Sequence, residues 1–322
     1  MKTGVLLCGY GGPDSLEAVG PFMKNLTGAE PSPELLARVQ RRYLAIGGSS
    51  PLTGIAREIA GDLMTKLGDL GSPMPVEVGM AYWRPFVAEG LAQLKALGCV
   101  RIIVVTMSPF ESKIAHGKYR TAIDEAAAQI GGIEIVEASL VSELEEYAGF
   151  FAASTAYSLT EMGSSEGMAI VFSAHSLPES DLVEDDPYVA GLQATANKVA
   201  VALALPAGEI VQHEMLGGIE TLGSTSGERP WFLAYQSKGA RPGAWLGPDL
   251  EDVIKALVVS GARGAVVVPI GFMTDHMETL YDLDIVAAGE ALGADFEFVR
   301  AEVPNSHPLL VEAIAKNLAA LA

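Results

Sequence analysis

Residues 168–179 read MAIVFSAHSLPE: an apolar run that closes on small and hydroxyl residues, a histidine and then a proline. The run at 169–172 is too short for a helix and is bounded by turn-forming residues, so it reads as a strand buried on both faces. Working outward, runs of the same kind recur at 5–8, 76–80, 102–106, 133–138, 210–213, 231–235, 265–270 and 296–301. The stretches 33–45, 56–67, 86–97, 119–130, 187–203, 249–259 and 279–292 carry apolar residues at helical spacing. Strands that alternate with helices imply an α/β protein whose parallel sheets are covered on both faces.

The chain has 322 residues, 49% of them hydrophobic and 19% charged. That is enough to bury a substantial core, and the length suits two similar halves. A composition shift at 160–167 (TEMGSSEG) sets the expected boundary, giving domains 1–160 and 161–322, with the last helix, 307–322, free to pack on either. The formal net charge of -19 argues against a nucleic-acid binder, which needs clustered Lys and Arg to neutralise phosphates. Cys8 and Cys99 are too few for a disulfide framework or a four-thiolate cluster, and each adjoins an apolar run, so both are expected reduced and buried. The opening segment reads as a strand and its turn rather than a signal peptide, and no apolar stretch approaches the ~18 residues of a membrane span. The expected location is the cytoplasm.

In parallel sheets, ligands gather beyond the carboxyl ends of the strands. Four loops qualify: 9–14, 108–110, 173–179 and 271–278, and two of the five histidines, His175 and His276, lie in them. His175 follows a buried strand and is flanked by Ser173 and Ser176. It reads either as a general base that takes protons near neutrality or as a hydrogen-bonded structural histidine, and position alone does not choose. His276 and Glu278 open a helix with Asp275 as N-cap and Glu278 at N3, as in a capping box. Two residues apart on a helix, they point in different directions, whereas Glu278 and Asp282 share a face and could pass a cation along, or could be a cap and a solvated acid.

Tyr10 lies between glycines in a tight loop, which turns its ring either toward a ligand or into local packing. The Gly-Gly-Pro there lacks the spacing of a dinucleotide or phosphate fingerprint. The segment 47–52 (GGSSPL) reads as C-cap glycines followed by an N-cap serine, and would set Ser50 near a ligand. The aromatic segment 80–86 (MAYWRPF) suits packing or the wall of an apolar cleft. No nucleophile elbow or zinc spacing supports hydrolytic chemistry.

The stretches LLCGYGGPDSLEAV (6–19), AIGGSSPLTGIAREIA (45–60), VGMAYWRPF (78–86), VFSAHSLPE (171–179) with DDPY (185–188), AYQSKGARPGAWLGPDLEDVI (234–254), VVVPIGFMTDHMETLYDLDI (266–285) and FVRAEVPNSHP (298–308) resemble successive ferrochelatase segments, in order and over nearly the whole chain. The resemblance implies two Rossmann-like domains with a porphyrin cleft between them. It implies His175 and Glu278 as catalytic residues facing each other across the macrocycle, with His276 supporting the glutamate. The expected metal contacts are His175, Glu278, Tyr10 and Asp282.

The implied reaction replaces two pyrrole N–H protons by Fe(II). His175 takes protons on one face, while Glu278, with Asp282 behind it, assists proton removal or metal delivery on the other. Iron is a substrate here. No tightly bound cofactor or iron–sulfur cluster is expected, and the partners are porphyrin and ferrous iron, with transient contacts to neighbouring haem-pathway enzymes and a monomeric state.

Tyr10 and the run RRYLAIGGSSPL (41–52) resemble the coproporphyrin III branch, whose product is coproheme, more than the protoporphyrin IX branch. The basic stretch that greets the propionates in that branch is reduced here to Lys24, leaving Ser50, Lys118 and Tyr119 as further substrate contacts. Val286 stands where a further carboxylate of the acidic row is expected. The competing readings are a cobalt or nickel tetrapyrrole chelatase, a tetrapyrrole-binding protein without turnover, and a nucleotide-binding protein, the last contradicted by the glycine spacing.

Overall fold

The computed structural model describes residues 2–162, 166–239 and 241–322. The first of two compact units runs to Glu146 and takes in Thr274–Met277 and Asn305–Ala322. Its strands β1 (Thr3–Gly9), β2 (Val76–Met80), β3 (Arg101–Thr106) and β4 (Glu134–Glu137) form a parallel sheet in the order β2-β1-β3-β4. Helices α1 (Val19–Thr27), α2 (Pro33–Ala45), α3 (Leu52–Asp69), α4 (Val87–Ala96) and α5 (Ala115–Ile130) alternate with them. Leu6 and Cys8 of β1 and Ile102 and Val104 of β3 face Val87, Leu91 and Leu94 of α4 and Ile123 and Ala126 of α5, all buried. Alternate residues, Val5 and Leu7, are buried as well, so the strand is covered on both faces as the unbroken apolar run requires. Burial pushes the Cys8 thiol up to about 12, and neither Cys8 nor Cys99 is bonded to another cysteine.

The second unit comprises Tyr147–Met273 and Glu278–Pro304. It contains α6 (Glu145–Glu161), β5 (Met168–His175), α7 (Pro187–Ala202), β6 (Glu209–His213), β7 (Ile219–Ser224), β8 (Trp231–Gln236), α8 (Leu250–Val259), β9 (Gly264–Val268), a π-helix (Glu278–Ala287), α9 (Ala288–Gly293) and β10 (Glu297–Arg300). The last helix, α10 (Pro308–Leu321), belongs to the first unit and packs on α3, where Lys66 meets Glu312 at 3.5 Å. The second sheet runs β10-β9-β5-β8-β7-β6. Its parallel part repeats the plan of the first: the first strand of each unit lies between the two that follow at its flanks, so β1, β2, β3 and β4 correspond to β5, β8, β9 and β10.

Besides helices α1 and α6 and strand β7, which no expected stretch covers, sequence and structure part at three places. The second sheet is mixed, because β6 and β7 are joined across Glu214–Gly218 and must run antiparallel, and β7 then pairs antiparallel with β8. Second, the expected boundary at 160/161 falls in the last turn of α6, and residues 163–165 of the composition shift lie outside the described residues. The units divide instead at Glu146/Tyr147, since α6 buries Tyr147, Phe150, Phe151 and Leu159. Tyr147 also donates its hydroxyl to the Ile270 carbonyl at 2.8 Å inside the second unit. Third, the stretch expected as one helix at 279–292 is a π-helix followed by an α-helix.

Helix starts follow capping chemistry. Ser32, Asp186 and His307 accept from the backbone N–H groups of Leu35, Tyr188 and Leu309, and each stands directly before a proline at the first helical position. No helix among the described residues is long and apolar enough to cross a membrane.

Candidate active site at the carboxyl edge of the second sheet

His175 is the last residue of β5, and its register partner on β8 is Gln236, the last residue of that strand. Parallel pairing therefore brings both to one edge of the sheet, where a ligand is expected. The backbone there is held firmly. Tyr188, just inside the capped start of α7, donates its hydroxyl to the His175 carbonyl at 2.8 Å, and Ser176 N–H donates to the Gln236 carbonyl at 2.8 Å. The loop after β9 presses on the same point: Gly271 N–H donates to the Ser173 carbonyl at 3.0 Å, and a Cβ on Gly271 would come within 2.6 Å of Ala174 Cβ. Only glycine fits that approach.

The imidazole of His175 is about a third exposed (32%), and its Nδ1 lies 2.9 Å from Oε2 of Glu278, the first residue of the π-helix. Gln236 Nε2 donates to the Glu278 carbonyl at 3.1 Å, and Ser237 Oγ donates to Asp282 Oδ2 at 2.6 Å. A π-helix closes its hydrogen bonds on the fifth residue rather than the fourth, so residues four and five apart stand over one another. Buried Thr279, Leu283 and Ala287 follow that spacing on the core side, and Glu278, Asp282 and Val286 follow it on the neighbouring face. Val286 ends the acidic row after two carboxylates.

Burial works against the charged form of His175, but the charge and hydrogen bond of Glu278, with Asp282 behind, outweigh it and hold the imidazole above its ordinary pKa. The Nδ1 contact fixes which nitrogen faces the carboxylate and leaves Nε2, which has no protein partner among the described residues, as the basic atom. Two nearby acceptors are orphaned: Gln236 Oε1 and Ser173 Oγ are buried without a partner among the described residues.

This geometry corrects the expectation that His175 and Glu278 face each other across a macrocycle. At 2.9 Å no ring fits between them, so imidazole and carboxylate stand side by side. The capping-box expectation is also replaced. Glu278 is the first π-helical residue and turns Oε2 to His175, while Asp275 exchanges two hydrogen bonds of 2.8 Å with Asn305. His276 lies in the Thr274–Met277 segment, grouped with the first unit.

The remaining sequence-predicted residues belong to the first unit. Tyr10 follows β1, and its ring lies 4.6 Å from that of Tyr82, against an apolar cluster of Val19, Phe22, Met23 and Tyr43 that Trp83 also borders. Ser50 braces the Tyr10 loop: its N–H donates to the Pro13 carbonyl at 2.8 Å, and a Cβ on Gly12 would overlap its hydroxyl. Lys24 pairs with Glu30 at 2.6 Å on the surface. Lys118 is exposed. Tyr119 is not available to a ligand: it is 1% exposed in the core of the first unit, with its hydroxyl 2.8 Å from Ser108 Oγ. The one-residue difference from Lys118 on α5 decides which side chain faces outward.

No signal at the single residue marks Gln236, Ser237, Tyr188 or Arg38 in the sequence, and Arg41 and Arg42 enter it only within the run 41–52. Arg38 and Arg42, four apart, flank the face of α2 that carries Leu35, Val39 and Tyr43 into the apolar cluster. Arg38 and Arg41 are exposed and engage no carboxylate among the described residues.

The model of the family described as Ferrochelatase matches residues 2–320. A ferrochelatase from Herpetosiphon aurantiacus is 30% identical over 316 residues, covering 97% of this chain and 96% of the relative. A coproporphyrin III ferrochelatase from Leifsonia xyli is 30% identical, covering 96% of this chain and 81% of the relative. Among solved structures, SirB from Bacillus subtilis with Fe3+ superposes with a TM-score of 0.55 at 13% identity, covering 99% of this chain and 94% of that one, a likeness of fold.

Proposed function

Because the chain belongs to the ferrochelatase family, the porphyrin metal chelatases of haem biosynthesis, we propose that its own substrate is coproporphyrin III and its product coproheme. The reaction takes in one Fe(II) and releases two protons, which leaves the charge of the site unchanged over a turnover. His175 Nε2 accepts a pyrrole proton, and the imidazolium that forms is stabilised through Nδ1 by Glu278. The proton then leaves by way of the carboxylates, and the second follows. Asp282, behind Glu278 on the π-helix, is the first carboxylate to meet incoming iron. Oxygen and nitrogen donors without thiolate hold Fe(II) weakly enough to release it to the macrocycle.

The observation that carries the reading is the His175–Glu278 pair at the carboxyl edge of the sheet. Tyr10 supports the coproporphyrin branch, a phenol at the end of β1. Coproporphyrin carries propionates where protoporphyrin has vinyl groups, so it needs more cations. Arg38, Arg41 and Lys118, exposed and without an ion-pair partner among the described residues, are available in a chain that otherwise runs strongly acidic. Anaerobic incubation with Fe(II) and either porphyrin, followed by absorption, tests the assignment. Faster conversion of coproporphyrin III is expected, and a preference for protoporphyrin IX rejects the branch.

A further inference from the structure

The loop that follows β3 lies at a strand end where a ligand is expected, and one histidine closes it with both ring nitrogens engaged. His116, on α5, is buried. Its Nδ1 accepts from the backbone N–H of Ser112 at 3.2 Å, and a ring nitrogen that accepts carries no proton. The ring proton therefore sits on Nε2, which donates to Thr106 Oγ1, 3.1 Å away at the end of β3. Thr106 Oγ1 donates in turn to the Ser108 carbonyl at 3.3 Å. One neutral imidazole thus ties the start of the loop to its end, and Phe110 between them stays buried.

An imidazolium cannot keep this pattern. It donates from both nitrogens, so Nδ1–H would meet Ser112 N–H head-on, at a buried point with no acceptor to spare. Glu111 from the loop and Glu137 from β4 favour the proton, but Arg120 occupies both carboxylates, Glu111 at 2.8 and 3.0 Å and Glu137 at 2.8 and 2.9 Å. Tyr119, whose ring lies 5.8 Å from the imidazole, turns its hydroxyl to Ser108, and Lys113 and Lys118 are exposed. Burial prevails over the two carboxylates and holds the imidazole below its ordinary pKa.

We infer that His116 is a proton-sensitive latch on this loop: the neutral ring holds residues 107–114 shut at the carboxyl end of the first sheet, and a ring that takes a proton lets go of the Ser112 amide and frees them. The unfolded chain binds this proton at a higher pH than the folded one. The latch is therefore closed at no cost above the ordinary histidine range, and stability falls as pH drops through that range toward the lowered folded value.

Hydrogen exchange of the full chain, corrected at each pH for the intrinsic exchange rate, tests the latch. From about pH 7.5 to about pH 5, protection over residues 108–114 should fall about tenfold or more, while protection in β1 stays within about twofold. His116→Asn sets an amide oxygen near the place of Nδ1, which accepts from Ser112 and does not titrate, so its loop stays protected at both values. His116→Gln reaches toward Thr106 but offers Ser112 no acceptor, and its loop is loosened at both. A check on the parent needs no variant: nitrogen NMR of the His116 ring at about pH 7.5 should show Nε2 protonated and Nδ1 bare. A proton on Nδ1 at that pH, loop protection that does not change with pH in the parent, or the same loss in acid in His116→Asn overturns the latch.

Discussion

Nδ1 of His175 lies 2.9 Å from Oε2 of Glu278, although 103 positions separate the two residues in the chain. One ends a strand in the middle of the second sheet, and the other begins the π-helix. The contact makes them one titrating unit on one side of the site. A base paired in this way is stronger than a free imidazole, and it is neutral, and so able to accept a proton, only above its raised pKa.

The first expectation follows from that sign. Burial alone depresses His175, and Glu278 with Asp282 reverses the effect. The acidic limb of kcat/KM for metallation therefore lies above the ordinary histidine value in the parent. In Glu278→Gln it moves to lower pH, because the charge is gone and burial remains. The linked stability has the opposite sense: the paired imidazolium favours the fold fully below the unfolded-state pKa, and that contribution is lost as pH rises through the raised folded value. A pH series of rates and thermal melts on the two proteins checks both, and an acidic limb that stays in place in Glu278→Gln contradicts the coupling.

Removing the imidazole separates chemistry from folding. His175 is partly exposed at a strand end, so His175→Ala should keep a cooperative melt close to that of the parent. Its turnover should fall about 10²- to 10⁴-fold, the usual contribution of a positioned base. Porphyrin binding, followed by the change in the porphyrin's absorption spectrum, should persist in this variant. Turnover within about threefold of the parent would remove His175 from the mechanism.

Much of this was legible in the sequence, because the two sheets are made of unbroken apolar runs. β2 matches its expected span at 76–80, and α2 matches at 33–45, where Ser32 and Pro33 set its start. The second-unit strand β7 was not legible. Its IETLGS is short and half-polar, and the hairpin with β6 provides the pairing that its composition does not. The end of α6 was mistaken for a domain end because the polar run after a helix looks the same whichever unit buries that helix. The pairing of His175 with Glu278 depends on which way the π-helix turns its first residue. Helical periodicity treats that segment as an α-helix, and the sequence supplies no signal for the wider turn.

Phe151 tests the position of the boundary. It is fully buried on α6, with its ring packed on Tyr147 and Phe150 at 5.1 and 5.4 Å. Phe151→Ala should cost about 3–5 kcal/mol in the stability of the second unit. Hydrogen exchange should show the loss in β5 and β9 before it appears in β1 and β3, and early loss in the first sheet would assign α6 to the first unit instead.

Two tyrosines of the first unit, both expected from the sequence to touch substrate, should respond in opposite ways. Tyr119 is sealed in the core with its hydroxyl on Ser108 Oγ, and burial holds its phenol well above the ordinary tyrosine range. Tyr119→Phe removes one internal hydrogen bond, so its cost is about 0.5–1.5 kcal/mol of stability, with both porphyrin KM values as in the parent. Tyr10 is only partly buried, and its ring rests on Tyr82 at the end of the strand. Tyr10→Phe preserves that packing and removes only the phenol hydroxyl. The ratio of kcat/KM for coproporphyrin III over protoporphyrin IX should then drop about three- to tenfold, a difference of one modest hydrogen bond, while the melting temperature barely moves. A changed substrate ratio in Tyr119→Phe, or an unchanged one in Tyr10→Phe, would show that the exposed phenol is not the one that distinguishes the two porphyrins.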